Sequence, residues 1–551
     1  MSLFGSLYVG TSGLKSSQEA LNVVAHNITN TDTVGYVRQQ VSYATREYNY
    51  LSRDFTGIAQ KQVGLGVYIS EVRQVRDRFL DASYREENGR KGFYDVSYSA
   101  VEEIESILGE LHDATFSNSL KRLKESIEEL AKDPSSEVCQ GMFIQYAQNF
   151  VEAAKNTYED FCDYQDKLNQ TIEKKVNRVN EIGASIYELN KKIRAIEAGG
   201  VENANDYRDI RNQLLDELSE LCNISYNTDV HGNILVKIEG HDFVMPNMVN
   251  EMAYDVDLET GFYTCYWPDS ADYELQPDGT RKYDPNTALV FDLSVEISSI
   301  KDTDIGSLKA TVLARGDHRG NYWDIASEEA YEKVSDSIMM NVMGEFDKLV
   351  YSVVSVINRV IAEGADPAHG YLCDANGNPI QIFERIGCDE YTYDEATGEW
   401  KFTEENANNP YTWFSIQNLM VNKDLMQYPA HLGMVRPDDS VDHTTMANML
   451  AEFEKKQFRL NPTVTNDISI SEYYKNLTAQ LANSGNVFKY LKENQELTVD
   501  MVEASRQGTI GVSTDEELSN MIRFQNAYNA SSRYINVIDE CMEHIINTLG
   551  V

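Results

Sequence analysis

LFGSLYVGTSGLKSSQEALNVVAHNI, residues 3–28, decides the architecture. Leu3, Leu7, Gly10, Leu14, Ser17, Leu21, Val24 and Ile28 recur in it at alternating steps of four and three. That is the spacing of a coiled-coil seam, here with two small residues set into it. The far end carries a counterpart. Leu518, Met521, Ile522, Tyr528, Ile535, Ile538, Met542, Ile545, Ile546 and Leu549 make a broader apolar stripe at three- and four-residue steps. Chain ends ordinarily fray and pack little. Ends that hold the best helical stripes predict a joint with something else, and isolated helices of this kind order only when their apolar faces are covered.

Between the ends the texture changes several times. The first helix should stop in Asn27-Ile28-Thr29-Asn30-Thr31-Asp32, whose side chains compete for backbone hydrogen bonds. Gly35 then allows a turn, and an extended section follows, with breaks at Gly57, Gly64 and Gly66 and alternation at Val63, Leu65, Val67 and Ile69. Apolar periodicity predicts helix again from Phe93 through Leu111, a second over Leu120–Leu130 closed by Asp133-Pro134, and a long one from about 138 to 198. At about 1.5 Å per residue the last would be a rod on the order of 80 to 90 Å. A further helix spans about 206–222. Residues 223–320 read as short strands with turns at His231-Gly232-Asn233 and Thr260-Gly261, helix resumes over 331–363, and a second strand-rich insert has turns at Asn376-Gly377 and Thr397-Gly398. The remainder, about 440–508, is mainly helical.

The expected fold class is multidomain α+β: terminal helices paired as an α-helical coiled coil, a long-helix bundle in the middle, and β-rich inserted outer domains. The expected domains are 1–40 with 510–551 for assembly; 41–222 with 326–365 and 415–509 as a helical rod; 223–325 as a β-rich insert; and 366–414 as a smaller one.

Composition favours an assembly component. The 551 residues carry 48 Lys+Arg against 88 Asp+Glu, a net charge of −40. Residues 1–91 sit near +2, so the acidity lies beyond them. Such a surface repels nucleic acid and anionic membranes, so neither is an expected partner, while the nearly neutral N-terminal part could pack against its own copies. Seven cysteines are scattered without a C-x-x-C, which speaks against a disulfide framework; the pairing state of Cys373 and Cys388 stays open. Residues 1–30 lack the charged, apolar and small-residue regions of a cleaved signal peptide, and no apolar run is long enough to span a membrane. The chain is therefore expected to be either cytosolic or exported by a route that reads no cleaved signal.

Three stretches carry a family resemblance. HNITNTDTVGYVRQ, residues 26–39, resembles the Asn-Ile-x-Asn…Gly-Tyr element of the flagellar axial proteins, the family of rod, hook and junction subunits; Val34 stands where relatives often carry Pro. GLGVYISEVRQVRDRFLDASYR, residues 64–85, is similar to that family's strand and following Arg-x-x-Asp-x-Phe-Leu segment. GVSTDEELSNMIRFQNAYNASSRYI, residues 511–535, is similar to its C-terminal motif. Each also has a plain physical reading: Asn27 and Asn30 as a helix stop, Asp515-Glu516-Glu517 as charges suited to a helix N-terminus, and Arg73, Arg76, Arg78 and Arg85 with Glu71, Asp77 and Asp81 as a solvated face of i,i+4 pairs. Their order and their placement relative to the two ends favour the family, and the long helices over 93–198 favour its hook–filament junction member over hook or rod.

The resemblance implies a structural subunit forming a ring of copies, with hook protein and a second junction protein as neighbours and a small helical export chaperone on the C-terminal helix. The implied interface comprises Leu3, Leu7, Leu14, Leu21, Val24, Asn27, Ile28, Asn30, Gly35 and Tyr36 at one end, with Leu518, Ile522, Tyr528, Ile535, Met542, Ile546 and Leu549 at the other. An extracellular coiled-coil adhesin is the alternative from another class. No catalytic motif, cofactor fingerprint or metal-ligand spacing is evident; Asp374-Ala375-Asn376-Gly377-Asn378 has the wrong Gly position for a calcium loop and reads as a turn. Neither enzyme activity, cofactor nor metal is expected.

Overall fold

The computed structural model describes residues 3–46, 49–52, 61–109, 115–200, 202–277, 280–293, 295–368, 371–394, 399–435 and 441–549. The expected helical residue Leu111, the break at Gly57 and the turn at Thr397-Gly398 lie outside these described residues, as do the side chains of Leu3 and Leu549.

Helix α1 (Leu3–Thr29) ends within the polar cluster: the side chains of Thr29 and Asn30 both donate to the carbonyl of His26, and Thr31 donates to Ile28. Four strands follow, β1 (Gln39–Thr45), β2 (Asn49–Ser52), β3 (Lys61–Val63) and β4 (Val67–Gln74), paired antiparallel as β1–β4 and β2–β3. Helix α2 (Arg78–Leu108) starts at an N-cap, Asp77, whose carboxylate accepts from Phe79 N at 2.8 Å. It therefore begins well before Phe93. Helix α3 (Thr115–Lys132) is followed by α4 (Glu137–Glu197), 61 residues in one helix capped by Ser136, roughly 90 Å at the standard rise. Helix α5 (Asn205–Leu221) runs back along it.

The first strand-rich region holds a three-stranded antiparallel sheet, β5 (Ile224–Thr228), β6 (Ile234–Ile238) and β7 (His241–Val244), and two hairpins, β8 (Ala253–Val256) with β9 (Tyr263–Tyr266) and β10 (Tyr273–Leu275) with β11 (Arg281–Tyr283). Its span then turns helical, against expectation. Helix α6 (Ser307–Arg315) has all nine residues buried, wedged among α2, α4 and α5. A helix buried all round shows no amphipathic stripe to read. The stretch expected as one helix over 331–363 is two, α7 (Glu328–Val334) and α8 (Ile338–Gly364), separated where Ser337 caps Met340 N. Further on lie β12 (Phe383–Arg385), β13 (Tyr391–Asp394), β14 (Glu399–Phe402) and β15 (Leu419–Val421), paired as β12–β15 and β13–β14, with α9 (Lys423–Gln427) and α10 (Thr445–Glu454). The chain closes with α11 (Ile470–Ile510) and α12 (Thr514–Leu549).

Two main cores lie along α4. Its first half, Phe143 to Phe161, packs with α3, α8, α10, α11 and the second strand-rich region, which places Ile382, Phe383 and Leu419 in that same core. Its second half, Ile172 to Ile186, packs with α5, α6 and the first sheet. Asp374 carries the Asn376-Gly377 turn by accepting from the backbone of Asn376 and Asn378.

Candidate assembly interface

Helices α1 and α12 lie antiparallel, the most extensive helix pairing among the described residues. Gly10 faces Ile535, Gly13 faces Ser531, and Asn27 bonds Glu517. Small residues at the seam let the backbones approach closely: a β-carbon on Gly13 would stand 2.9 Å from Ser531 Oγ. The β1–β4 ribbon lies alongside. Val67 N donates to Ser12 Oγ, Ser16 donates to Val67 O, and Tyr43 packs on Phe524 at 6.4 Å.

At the base of this pair sits a polar knot. Asn27 is buried, and every hydrogen-bonding position of its amide is used. Its Nδ2 donates to Gln39 O at 2.9 Å and Glu517 Oε2 at 3.1 Å, while its Oδ1 accepts from Gln39 N at 3.0 Å and the Tyr36 hydroxyl at 2.8 Å. Arg38 bridges Glu516 and Glu517, each at 2.9 Å, and its own backbone N–H and C=O bond Ile510 and Val75. Gly35 turns the chain with φ of +76°, and its α-carbon abuts the Gln213 side chain, so any other residue would be strained and clash. Asn27 is thus a joint between both ends of the chain as well as a helix stop. Glu517 and Arg38 complete it; the local pattern around residues 515–517 signalled only a charge suited to a helix N-terminus.

Beneath the knot, buried charges fasten it to the rod. Asp209 accepts from Val37 N and Gln74 Nε2, with Arg76 Nη1 at 3.9 Å; burial, the largest effect, pushes its carboxyl up to about 7. Arg76 pairs with Asp81 at 2.6 Å, while Arg85 and Arg506 share Asp216 at 2.7 Å each. The Arg506 guanidinium also lies 3.9 Å from the Tyr84 ring centroid. Arg76, Asp81 and Arg85 are therefore largely buried and join α2, α5 and α11, whereas Arg73, Asp77 and Arg78 are exposed.

The sequence-derived residues fall into three settings. Val24 and Asn27 are buried. Leu7, Leu14, Leu21, Ile28, Asn30, Gly35, Tyr36, Tyr528, Ile535 and Met542 are half-buried, and Ile535 meets Gly10 across the α1–α12 seam. Leu518, Ile522 and Ile546 remain exposed, Ile522 at 61% and Ile546 at 70%. Phe4, Tyr8 and Val537 share that exposure. The C-terminal stripe is thus only partly covered by α1. Among the described residues no group of three or more His, Cys, Asp or Glu could hold a metal, and no helix is long and apolar enough to cross a membrane. All seven thiols are free.

Comparison with known proteins places these features. The model of the flagellar hook-associated protein FlgK helical domain matches residues 101–372. That of the flagella basal body rod protein matches residues 7–36, and that of the flagellar basal body rod FlgEFG protein C-terminal region matches 508–548. Together they take in well over half of the chain, including both terminal helices. Flagellar hook-associated protein 1 of Bacillus subtilis is 26% identical over 100% of this chain and 99% of its own length. The Escherichia coli protein of that name is 21% identical over 97% of this chain and 98% of its own. The flagellar hook junction protein FlgK from Burkholderia pseudomallei superposes with a TM-score of 0.52 at 11% identity, covering 79% of this chain and 100% of that one, a likeness of fold.

Proposed function

The chain belongs to the flagellar hook-associated protein 1 family, and on that premise we propose that it is a structural subunit of the bacterial flagellum at the junction between hook and filament. It is exported and self-assembles through α1 and α12. The observation that carries this reading is the incomplete cover of that pair. Small residues close the seam, while the large apolar side chains of Phe4, Tyr8, Ile522, Val537 and Ile546 are left uncovered. Exposed apolar side chains gathered on a pair of terminal helices suit an interaction surface.

The finer reading has copies arranged in a ring, with the hook protein on one side and a second junction protein on the other. A small helical chaperone covers the C-terminal helix before export, because that helix would otherwise present its apolar face to the cytosol. Export proceeds without a cleaved signal peptide, and the assembled protein lies outside the cell. Its role is mechanical joining with no catalysis.

The test is imaging of hook–basal bodies from a strain lacking this protein. Hooks should persist while filaments are lost and filament subunits appear in the medium. Filaments attached to hooks at the wild-type frequency would refute the assignment.

A further inference from the structure

In a chain of net charge −40, one cleft runs against the rule. A cavity of about 980 Å³ opens between β4, the start of α2, α5 and the β5–β6 edge, just below the polar knot. Six arginines line it (Arg73, Arg76, Arg78, Arg85, Arg208 and Arg211) against four carboxylates. Over the whole chain acids outnumber bases by 88 to 48.

Three of the six have a carboxylate partner. Arg76 pairs with Asp81, Arg85 with Asp216, and Arg208 with Glu197. The other three have none within ion-pair distance among the described residues. Arg73 touches only the Gln40 amide, and Arg78 is exposed and unpaired. Arg211 is 4% exposed and is held by Asn190 Oδ1 and Gly232 O, both neutral. Two N–H donors in the wall, Arg76 Nη1 and Arg211 Nε, are buried without an acceptor. Burial, then neighbouring Arg208, Arg76 and Arg85, lowers the pKa of Arg211 to about 10. Buried donors without partners are costly, and so is a buried cation with no carboxylate in ion-pair contact, Glu197 acting on Arg211 only from a distance. Two of the four lining carboxylates, Glu86 and Asp302, are already held by Arg90.

We propose that this cleft is a carboxylate-binding site that receives an acidic segment of a second copy of the chain in the assembled ring. The inference rests on the reading of the chain as a self-assembling subunit. Two observations select that occupant. Every copy presents an acidic surface, so a neighbour brings the required carboxylates wherever it touches. The cleft also shares Glu71, Asn203 and Asn205 with the groove beside α1, so it is continuous with the assembly helices. Arginine forks suit carboxylates through paired N–H donors. Engaging them would relieve the repulsion that 40 excess negative charges per copy impose on ring closure.

The test is charge reversal at the two exposed arginines in the full chain, R73E with R78E. The purified variant should melt at the wild-type temperature, while cells should lose filaments about tenfold or more, as reversal of close charge pairs across an interface predicts. R73Q with R78Q should be intermediate, and it keeps the test valid if the reversed variant folds poorly. Motile revertants of R73E/R78E should carry an Asp or Glu changed to Lys, Arg or a neutral residue elsewhere in this same chain. Filaments at the wild-type level in both variants would overturn the proposal, and so would revertants confined to a different flagellar protein. Deletion of the whole protein separates the two readings. If deletion removes filaments and the arginine variants do not, the cleft proposal alone fails.

Discussion

Gly10 and Ile535 meet across the antiparallel terminal pair with no space for a side chain on the glycine: a β-carbon there would stand 2.8 Å from Ile535 Cγ1 and 3.1 Å from Tyr534. A G10L substitution should splay α1 from α12 and abolish filament attachment. The melting of the rod around α4 should not change, because neither of its cores includes Gly10. Loss of rod stability on calorimetry would contradict this separation of roles.

The knot at Asn27 should be the least replaceable polar site. An N27A variant leaves Gln39 N, Gln39 O and the Tyr36 hydroxyl without their partners, at about 1–3 kcal/mol for each buried group left unsatisfied. Backbone amides of residues 27–39 should then exchange with solvent markedly faster than in the parent chain. Unchanged exchange there would show that the knot does not hold the joint.

Both terminal helices leave large apolar side chains exposed, Phe4 and Tyr8 on α1 and Ile522, Val537 and Ile546 on α12, so in dilute solution their amides should exchange far faster than those of α4. Strong protection across residues 3–29 and 514–549 in the monomer would show that they are folded before assembly. The substitution L21K follows from the same reasoning. Leu21 is half-buried in the single chain, so the monomer should tolerate the lysine while cells should lose their filaments.

Asp209 gives a pH signature. Its carboxyl is raised from 3.8 to about 7 by burial, so the folded state holds the proton in a range where the unfolded chain has lost it. Stability from this site is therefore greatest below about pH 4, declines as pH rises through the interval up to about 7, and is flat above. An uncharged amide removes the penalty, so D209N should match the parent at low pH and melt higher than it above neutrality. Equal melting temperatures at pH 8 would refute the assignment.

In the second half of α4, Gly183 lies directly against the ring of Phe243, a fully buried residue of the first sheet. Alanine is the better helix former by about 1 kcal/mol. Yet G183A should lower the melting temperature, because displacing that ring costs about 1–3 kcal/mol. A higher melting temperature would mean the ring can move aside freely.

The parts of the fold legible from sequence were those with local causes. The core positions of α4 recur at threes and fours, and Ser136 and Gly199 bracket it, so its length was readable. The start of α2 was not. Residues 78–92 bury Asp81, Arg85 and Asn88 through hydrogen bonds and ion pairs instead of an apolar stripe, and Gly89 packs flush against Ile305 and Ser219. Helix α6 was hidden for the opposite reason, being enclosed on every side. At the interface, the spacing in α1 signalled a helix with one apolar side, whereas which residues of the α12 stripe stay uncovered depends on where α1 lies. Arg38 and Glu517 are 479 positions apart, so only the fold could pair them.

The Asn27–Glu517 bond closes a loop of 490 residues. A chain threaded out of the cell one end first delivers those two side chains at nearly opposite moments of its passage. Whichever emerges first must wait, unpartnered, until almost all the rest has followed. The two cores along α4 can form meanwhile, since their contacts lie within the chain already delivered. The joint between the two ends is thereby the last thing to mature, and a molecule stalled or cut short in transit arrives without it.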